Sequence, residues 1–299
     1  MYYQADVADV VYRYDGSMQG FLCCVFESFR RRELPAAINS PQEERLSLFP
    51  DREIVTDPVR ARRVLKGIER LGGGVRQRFM TAFLSTDPEK EQILLRYLRV
   101  AFSTGRGVDQ MLGHPDVSAA WQLERAVSGE AHHFIEFLRF EERGGMLGAV
   151  IHPKNMVLPL LRPHFCSRLP DEDFLIYDAA HGVAMLRRGR DVHYLEMADY
   201  DPVCSPEEEQ WQNMWKRFFK ALTIEQRRNE RCQQTHCPRR FWQDMCEMPG
   251  GCFASEANTS ARTAKPAGDR LSGGKENVGQ SFSDLVTISQ TGRPKTGIL

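Results

Sequence analysis

Apolar residues recur at helical spacing soon after the start of the chain. Phe21, Leu22, Val25, Phe26 and Phe29 stand three and four apart, which places them on one helix face. Residues 9–14 before them read as a short strand, and Asp15-Gly16-Ser17 makes the turn. Two further helices are announced by an Asp-Pro pair, at Asp57-Pro58 and Asp87-Pro88, with Asp as N-cap and Pro at the first helical position. The first carries Val64, Leu65, Ile68 and Leu71 and ends at Gly72-Gly73-Gly74, read as a linker; the second carries Ile93, Leu94, Tyr97, Leu98, Ala101 and Phe102. A fourth helix opens after Pro115 and runs through Trp121, Leu123 and Val127 toward His132.

The period then changes. Residues 134–141 and 146–151 read as strands joined by a turn at Arg143-Gly144-Gly145. Residues 156–168 suit a helix despite Pro159 and Pro163, and 174–178, 182–186 and 192–196 read as three more strands. Helix returns at Ser205-Pro206, where Glu207, Glu208 and Glu209 favour the positive end of the dipole. Trp211, Met214, Trp215, Phe218, Phe219 and Leu222 form an apolar stripe along it, and Thr223-Ile224-Glu225-Gln226 resembles a capping box opening another helix. The expected class is α+β: N-terminal helices over 1–132, a central antiparallel sheet of about five strands within 133–200, and C-terminal helices over 201–248. Residues 1–248 are read as one domain. From 249 to 299 apolar residues thin out among Gly, Ser, Thr, Asn and Lys, which predicts a disordered tail. Its short apolar stretch at 282–288 is read as part of that solvated tail, with a docking peptide as the alternative.

Composition narrows the function classes. Lys+Arg and Asp+Glu are both 40, so no global field draws nucleic acid and any such binding needs a local patch. Met1 to Asp6 lack a basic segment followed by an apolar run, and no apolar stretch approaches the ~20 residues that span a bilayer. A cytoplasmic protein without a membrane partner is therefore expected, with its eight cysteines reduced. Cys232, Cys237, Cys246 and Cys252 crowd near His236, but contain no Cys-x-x-Cys pair and match no common ferredoxin spacing. They are weak metal candidates, better read as small buried residues, and no cofactor is expected in this chain.

Three groups carry candidate chemistry. Glu130 and His133 share a helix face ahead of Arg139; a carboxylate orienting an imidazole suits acid–base work, and a structural pair accounts for the same residues. His164, Arg168 and Asp178 suit binding of a phosphate, or a plain Arg168–Asp178 salt bridge. Last, Lys216, Arg217, Lys220, Arg227, Arg228, Arg231, Arg239 and Arg240 stand against only Glu225 and Glu230, with Phe241 and Trp242 beside them. Arginines interleaved with aromatics suit phosphate contact and base stacking; a solvated charge run beside a core tryptophan is the plainer alternative. Neither Asp15-Gly16-Ser17 nor the triple glycine has the length or lysine of a phosphate loop.

Several stretches together resemble a known family. They are Tyr12-Arg13-Tyr14-Asp15-Gly16-Ser17-Met18-Gln19-Gly20-Phe21-Leu22 with Val25-Phe26-Glu27, Glu130-Ala131-His132-His133 running into Phe137-Leu138-Arg139-Phe140, His164-Phe165 with Arg168, and Ile176-Tyr177-Asp178. The most specific run is Met214-Trp215-Lys216-Arg217 followed by Ile224, Arg227, Asn229, Gln233, Pro238, Arg239, Trp242 and Glu247. In this order they are similar to the domain of unknown function 4130 family, a bacterial family placed in DNA metabolism. The resemblance implies a role in DNA repair or modification beside a radical SAM protein, with the iron–sulfur cluster and S-adenosylmethionine in that partner. Some relatives resemble fusions to a uracil-DNA-glycosylase-like domain, for which the residues after Glu247 are too few. His181 stands where an arginine is expected, and Cys232 and Cys237 where larger apolar residues are. The resemblance assigns no catalytic residue.

The leading expectation is a protein that touches nucleic acid through its basic C-terminal helices beside the radical SAM partner. A non-catalytic adaptor of that enzyme is the second, with an exposed apolar patch as its mark. A stand-alone hydrolase or glycosylase built on Glu130, His133 or Asp178 is the third.

Overall fold

The computed structural model describes residues 7–41, 47–143, 145–198, 200 and 205–249. Contacts divide them into two compact units. One holds the described residues up to Gly129 together with Asn155–Pro159; the other holds Glu130–Lys154 and the described residues from Leu160 onward. The N-terminal leader reading, Cys204, Cys252 and the tail after Pro249, with its apolar stretch at 282–288, lie outside the described residues.

The first unit begins with strand β1 (Val7–Arg13), helix α1 (Met18–Arg31) and strand β2 (Leu34–Asn39). Val10, Val11 and Tyr12 are buried in a row, the mark of a strand covered on both faces. β1 and β2 pair in parallel, with Tyr12 opposite Ile38, so α1 is the crossover of a βαβ unit. A third parallel strand, β3 (Asp51–Glu53), joins the other side of β1. The stretch read as helical thus also contains a three-stranded parallel sheet. β2 and β3 escaped the sequence because Pro35 interrupts one and the other spans only three residues. Ser17 caps α1 by accepting from the Gly20 amide at 2.9 Å, as its position before the apolar run implies.

Helix α2 (Pro58–Leu71) starts on the Asp57 cap as expected. Gly72-Gly73-Gly74 is no linker: Gly72, at φ +125°, turns the chain directly into helix α3 (Gly73–Phe83). Val75, Phe79 and Phe83 of α3 bury a face that the triple glycine had obscured. Helix α4 (Lys90–Thr104) begins just past Asp87-Pro88, whose Asp87 carboxylate instead accepts from the Glu89 amide in the preceding turn. Tyr14, Phe21, Phe79 and Phe83 make the aromatic centre of this unit, with Phe21 and Phe79 stacked at 6.1 Å.

Helix α5 (Pro115–Phe137) is longer than expected. Residues 134–137, read as strand, continue it because Val127, Ala131, Phe134 and Leu138 keep a buried three-and-four spacing. The strand there shrinks to β4 (Glu141–Arg143), paired antiparallel with β5 (Met146–Ile151). Helix α6 (Leu158–Arg168) follows, accommodating Pro159 in its first turn and Pro163 inside it. Then come β6 (Phe174–Asp178), β7 (Val183–Arg188) and β8 (Asp191–Glu196). The sheet runs β4-β5-β6-β7-β8, so five strands are present in sequence order. It is mixed, however, not antiparallel throughout. β5 and β6 are parallel, Ile151 opposite Asp178, because α6 supplies the crossover between them.

Helix α7 (Pro206–Leu222) starts at Ser205, whose hydroxyl accepts from the Glu208 amide. The residues after it form a short 3-10 turn (Glu225–Arg227) in place of the helix expected from the capping-box signal. Helix α8 (Glu230–His236) and a second 3-10 turn (Arg239–Asp244) end the described chain. No helix among the described residues is long and apolar enough to cross a membrane.

Candidate nucleic-acid interface

The C-terminal segment is tied down by its own buried side chains. Phe241 is buried against His133, Phe134 and Phe137, its ring 5.0 Å from that of Phe134. On one side of Phe241, Arg240 forms an ion pair of 3.3 Å with buried Glu130, whose carboxylate also accepts from the Lys154 amide at 2.9 Å. A little further on, Asp244 meets His152 Nδ1 at 2.8 Å. Glu247, almost wholly buried, accepts from Arg139 at 2.8 Å. One stretch of chain thereby fastens to α5 and to the end of β5. Each link satisfies a charge that would be costly to bury alone.

The opposite face of this stretch lines an open groove of about 1140 Å³, together with α7 and α8. Lys216, Lys220, Arg227, Arg228, Arg239 and Trp242 all line it, and Phe219 adds a second aromatic wall. Five of the eight cations named in the sequence, together with Trp242, thus share one concavity. Arg217 and Arg231 are not among the lining residues, and Arg240 is turned to Glu130. Arg239 lies over the Trp242 ring at 5.6 Å, and the Trp242 indole N–H donates to the Cys237 carbonyl at 2.9 Å, which fixes the ring plane. Arg228 is shared between Glu225 and Glu230 at the rim. Lys216, Lys220 and Arg227 form no ion pair among the described residues, and Glu225, Glu230 and Glu247 line the same groove. The volume is slightly above the ~300–1,000 Å³ of ordinary small-molecule pockets.

The other candidates separate. Glu130 and His133 do not pair with each other: His133 stacks on Phe137 at 5.9 Å, and its Nδ1 is buried without a hydrogen bond among the described residues. His164 packs edge-on against Phe165, and its Nε2 is also buried without a hydrogen bond there. Arg168 is exposed and forms no ion pair with Asp178. Asp178, fully buried, instead accepts from the Ala180 and His181 amides at 3.1 Å and meets His181 Nδ1 at 2.7 Å. This carboxylate–imidazole pair and the His152–Asp244 pair were missed in the sequence. An Asp three residues before a His across a strand end was the signal for the first; nothing local marks the second.

The cysteines do not converge. Cys232 is exposed, Cys237 is buried, and Cys246 is half-buried. No group of three His, Cys, Asp or Glu residues among the described ones is arranged to hold a metal ion. Burial raises the Cys237 thiol, and burial reinforced by the neighbouring Glu247 pushes Cys246 up to about 11.

Helix α7 carries a further surface. Its buried side chains are the polar Glu208 and Gln212, with Glu208 accepting from the Glu142 amide on the edge of β4. The apolar stripe faces outward instead: Trp211 and Leu222 are both 64% exposed, and Met214, Trp215 and Phe218 are exposed with them.

A family model described as a domain of unknown function, DUF4130, matches residues 88–247. That is more than half of the chain. The chain belongs to the DUF4130 family. Comparison with curated proteins and with solved structures gives no match. The DUF4130 match takes in every groove-lining residue from Lys216 to Glu247, the exposed stripe of α7 and both carboxylate–imidazole pairs. It leaves out the parallel sheet and the helices α1, α2 and α3.

Proposed function

We propose that this DUF4130 protein acts in DNA metabolism, repair or modification, by holding a nucleic-acid strand in the groove beside α7 and α8. The observation that carries the reading is the conjunction of Lys216, Lys220 and Arg227, none in an ion pair among the described residues, with the Arg239-covered ring of Trp242 in one open concavity. Cations track the phosphates, and flat rings stack on bases that are already unpaired. Single-stranded or locally opened DNA is therefore preferred to an intact duplex. Chemistry on the strand belongs to a radical SAM partner, which brings its own iron–sulfur cluster and S-adenosylmethionine. Resemblance to the family supports that pairing.

The test is fluorescence anisotropy of labelled single- and double-stranded DNA, over a salt series, against the full chain and the variant Arg227→Gln with Arg239→Gln. Tighter binding of the single strand is expected, with affinity falling steeply as salt rises. The double variant should lower the magnitude of the log–log salt slope by about 1.4, or ~0.7 per lost contact on a single strand. Binding unchanged by the substitutions, or indifferent to salt, rejects the groove.

A second reading is a non-catalytic adaptor, favoured by the outward stripe of Trp211, Met214, Trp215, Phe218 and Leu222. A contiguous exposed apolar face of this kind suits a protein partner. In this reading α7 docks on the radical SAM enzyme and the groove presents the strand to it. Retention of that enzyme by the wild-type chain, but not by Trp211→Ser with Phe218→Ser, is the expected result.

A further inference from the structure

Helix α2 has two faces of opposite character. Ala61, Val64 and Ile68 are buried in the first unit. The outward face is a shallow depression of about 570 Å³ lined by Val59, Arg62, Arg63, Lys66, Gly67 and Arg70. All four cations are exposed, and none forms an ion pair among the described residues. The acidic residues nearby are already engaged, Asp57 with Arg60 at 3.1 Å and Glu69 with Arg76 at 3.7 Å. Arg106 adds a fifth cation, its Nε donating to the Arg70 carbonyl. In a chain whose charges cancel, this concentration of one sign is local and uncompensated.

We propose that this face of α2 is a second polyanion site, one that takes the phosphate backbone of a nucleic-acid strand. Arg62, Lys66 and Arg70 fall on one row at intervals of four residues, ~6 Å apart along the helix axis. Arginine dominates, and its planar fork pairs with phosphate oxygens bidentately. Arg63 lies 5.9 Å from the Phe26 ring, which holds that guanidinium in place. Gly67 lets the Phe102 ring pack closely on the helix, since a Cβ there would sit 3.0 Å from that ring. A lipid surface is the poorer occupant. An interfacial helix needs a free apolar face, and that of α2 is already spent in the core, with Val59 the one large apolar residue in the depression. The site carries no base-stacking aromatic, so it grips backbone without reading sequence. It lies outside residues 88–247 and stands on observations separate from those for the groove.

The experiment compares four forms of the full chain: wild type, an α2 variant (Arg62→Gln, Arg63→Gln, Lys66→Gln, Arg70→Gln), the groove variant, and both combined. The probes are a labelled 30-nucleotide single strand, its duplex, and phosphatidylglycerol vesicles. The α2 variant is expected to bind either oligonucleotide at least tenfold more weakly in low salt, with a slope smaller in magnitude by about 3. Glutamine keeps the helix propensity, and melting temperature checks the fold. Should the fourfold variant melt early, Arg62→Gln with Lys66→Gln leaves Arg63 on Phe26 and is expected to lower the slope by about 1.5. Loss in the α2 variant with a normal groove variant upholds this site and rejects the groove. An α2 variant that binds DNA like wild type overturns the site, as do absence of oligonucleotide binding by the wild type and binding of vesicles in preference to DNA.

Discussion

At the scale of single residues, the chain relies on buried carboxylates whose partners are donors fixed by neighbouring backbone. Asp178 is the strongest case, fully buried with two amides and an imidazole around it. Asp178→Asn keeps the shape but turns an amide N–H toward His181 and removes the charge. A loss of about 3 kcal/mol is expected in urea unfolding, and less for His181→Ala, which removes the partly exposed partner. Glu27 responds to acid. Hydrogen bonds from Arg30, aided by Arg31 and outweighing burial, hold its carboxyl down at about 2 against an ordinary 4.5. A folded value below the unfolded one means that its stabilisation is complete above pH 4.5 and fades as pH falls toward 2. Glu27→Gln should therefore unfold along a shallower acid limb in that interval, with little change in its slope near neutrality.

At the scale of elements, α7 inverts the usual relation between pattern and burial. Its periodicity correctly marks a helix, and the Ser205 cap marks its start, yet the apolar side faces outward and Glu208 anchors the other. Because Trp211 and Phe218 have little to lose on folding, Trp211→Ser with Phe218→Ser should shift stability by about 0.5 kcal/mol or less per site. Lower self-association in sedimentation is the accompanying expectation; a large drop in melting temperature would show that the stripe is packed. The same helix shows what was legible in the sequence. Caps or three-and-four spacing identified α1, α2, α4 and α7, and turn residues identified β5 to β8. Pairing direction was not legible, since a strand's side-chain alternation does not encode its neighbour. Only recognising α6 as a crossover reveals that β5 and β6 run parallel. The sheet around β1 was hidden for a related reason: its edge strands are short or interrupted by proline, and parallel partners lie far apart in the chain. In the groove, the charges were visible in composition, but their convergence depends on how the segment after α8 is clamped by Glu130, His152 and Arg139.

At the scale of the whole molecule, a chain with equal numbers of acidic and basic residues concentrates positive charge at two places, one in each unit. Attraction to a polyanion is then short-ranged, and at 0.15 M salt each site acts only within ~8 Å of its surface. The buried clamp has a further consequence through light. Three of the four tryptophans, Trp211, Trp215 and Trp242, stand on the exposed stripe or in the groove, while Trp121 lies 4.2 Å beneath the Arg78 guanidinium. Intrinsic emission is thus weighted toward the surfaces where ligands are proposed to sit. A base stacked on Trp242 dims that emission, whereas a partner covering α7 shifts it to the blue, so one unlabelled sample tells the two encounters apart by colour.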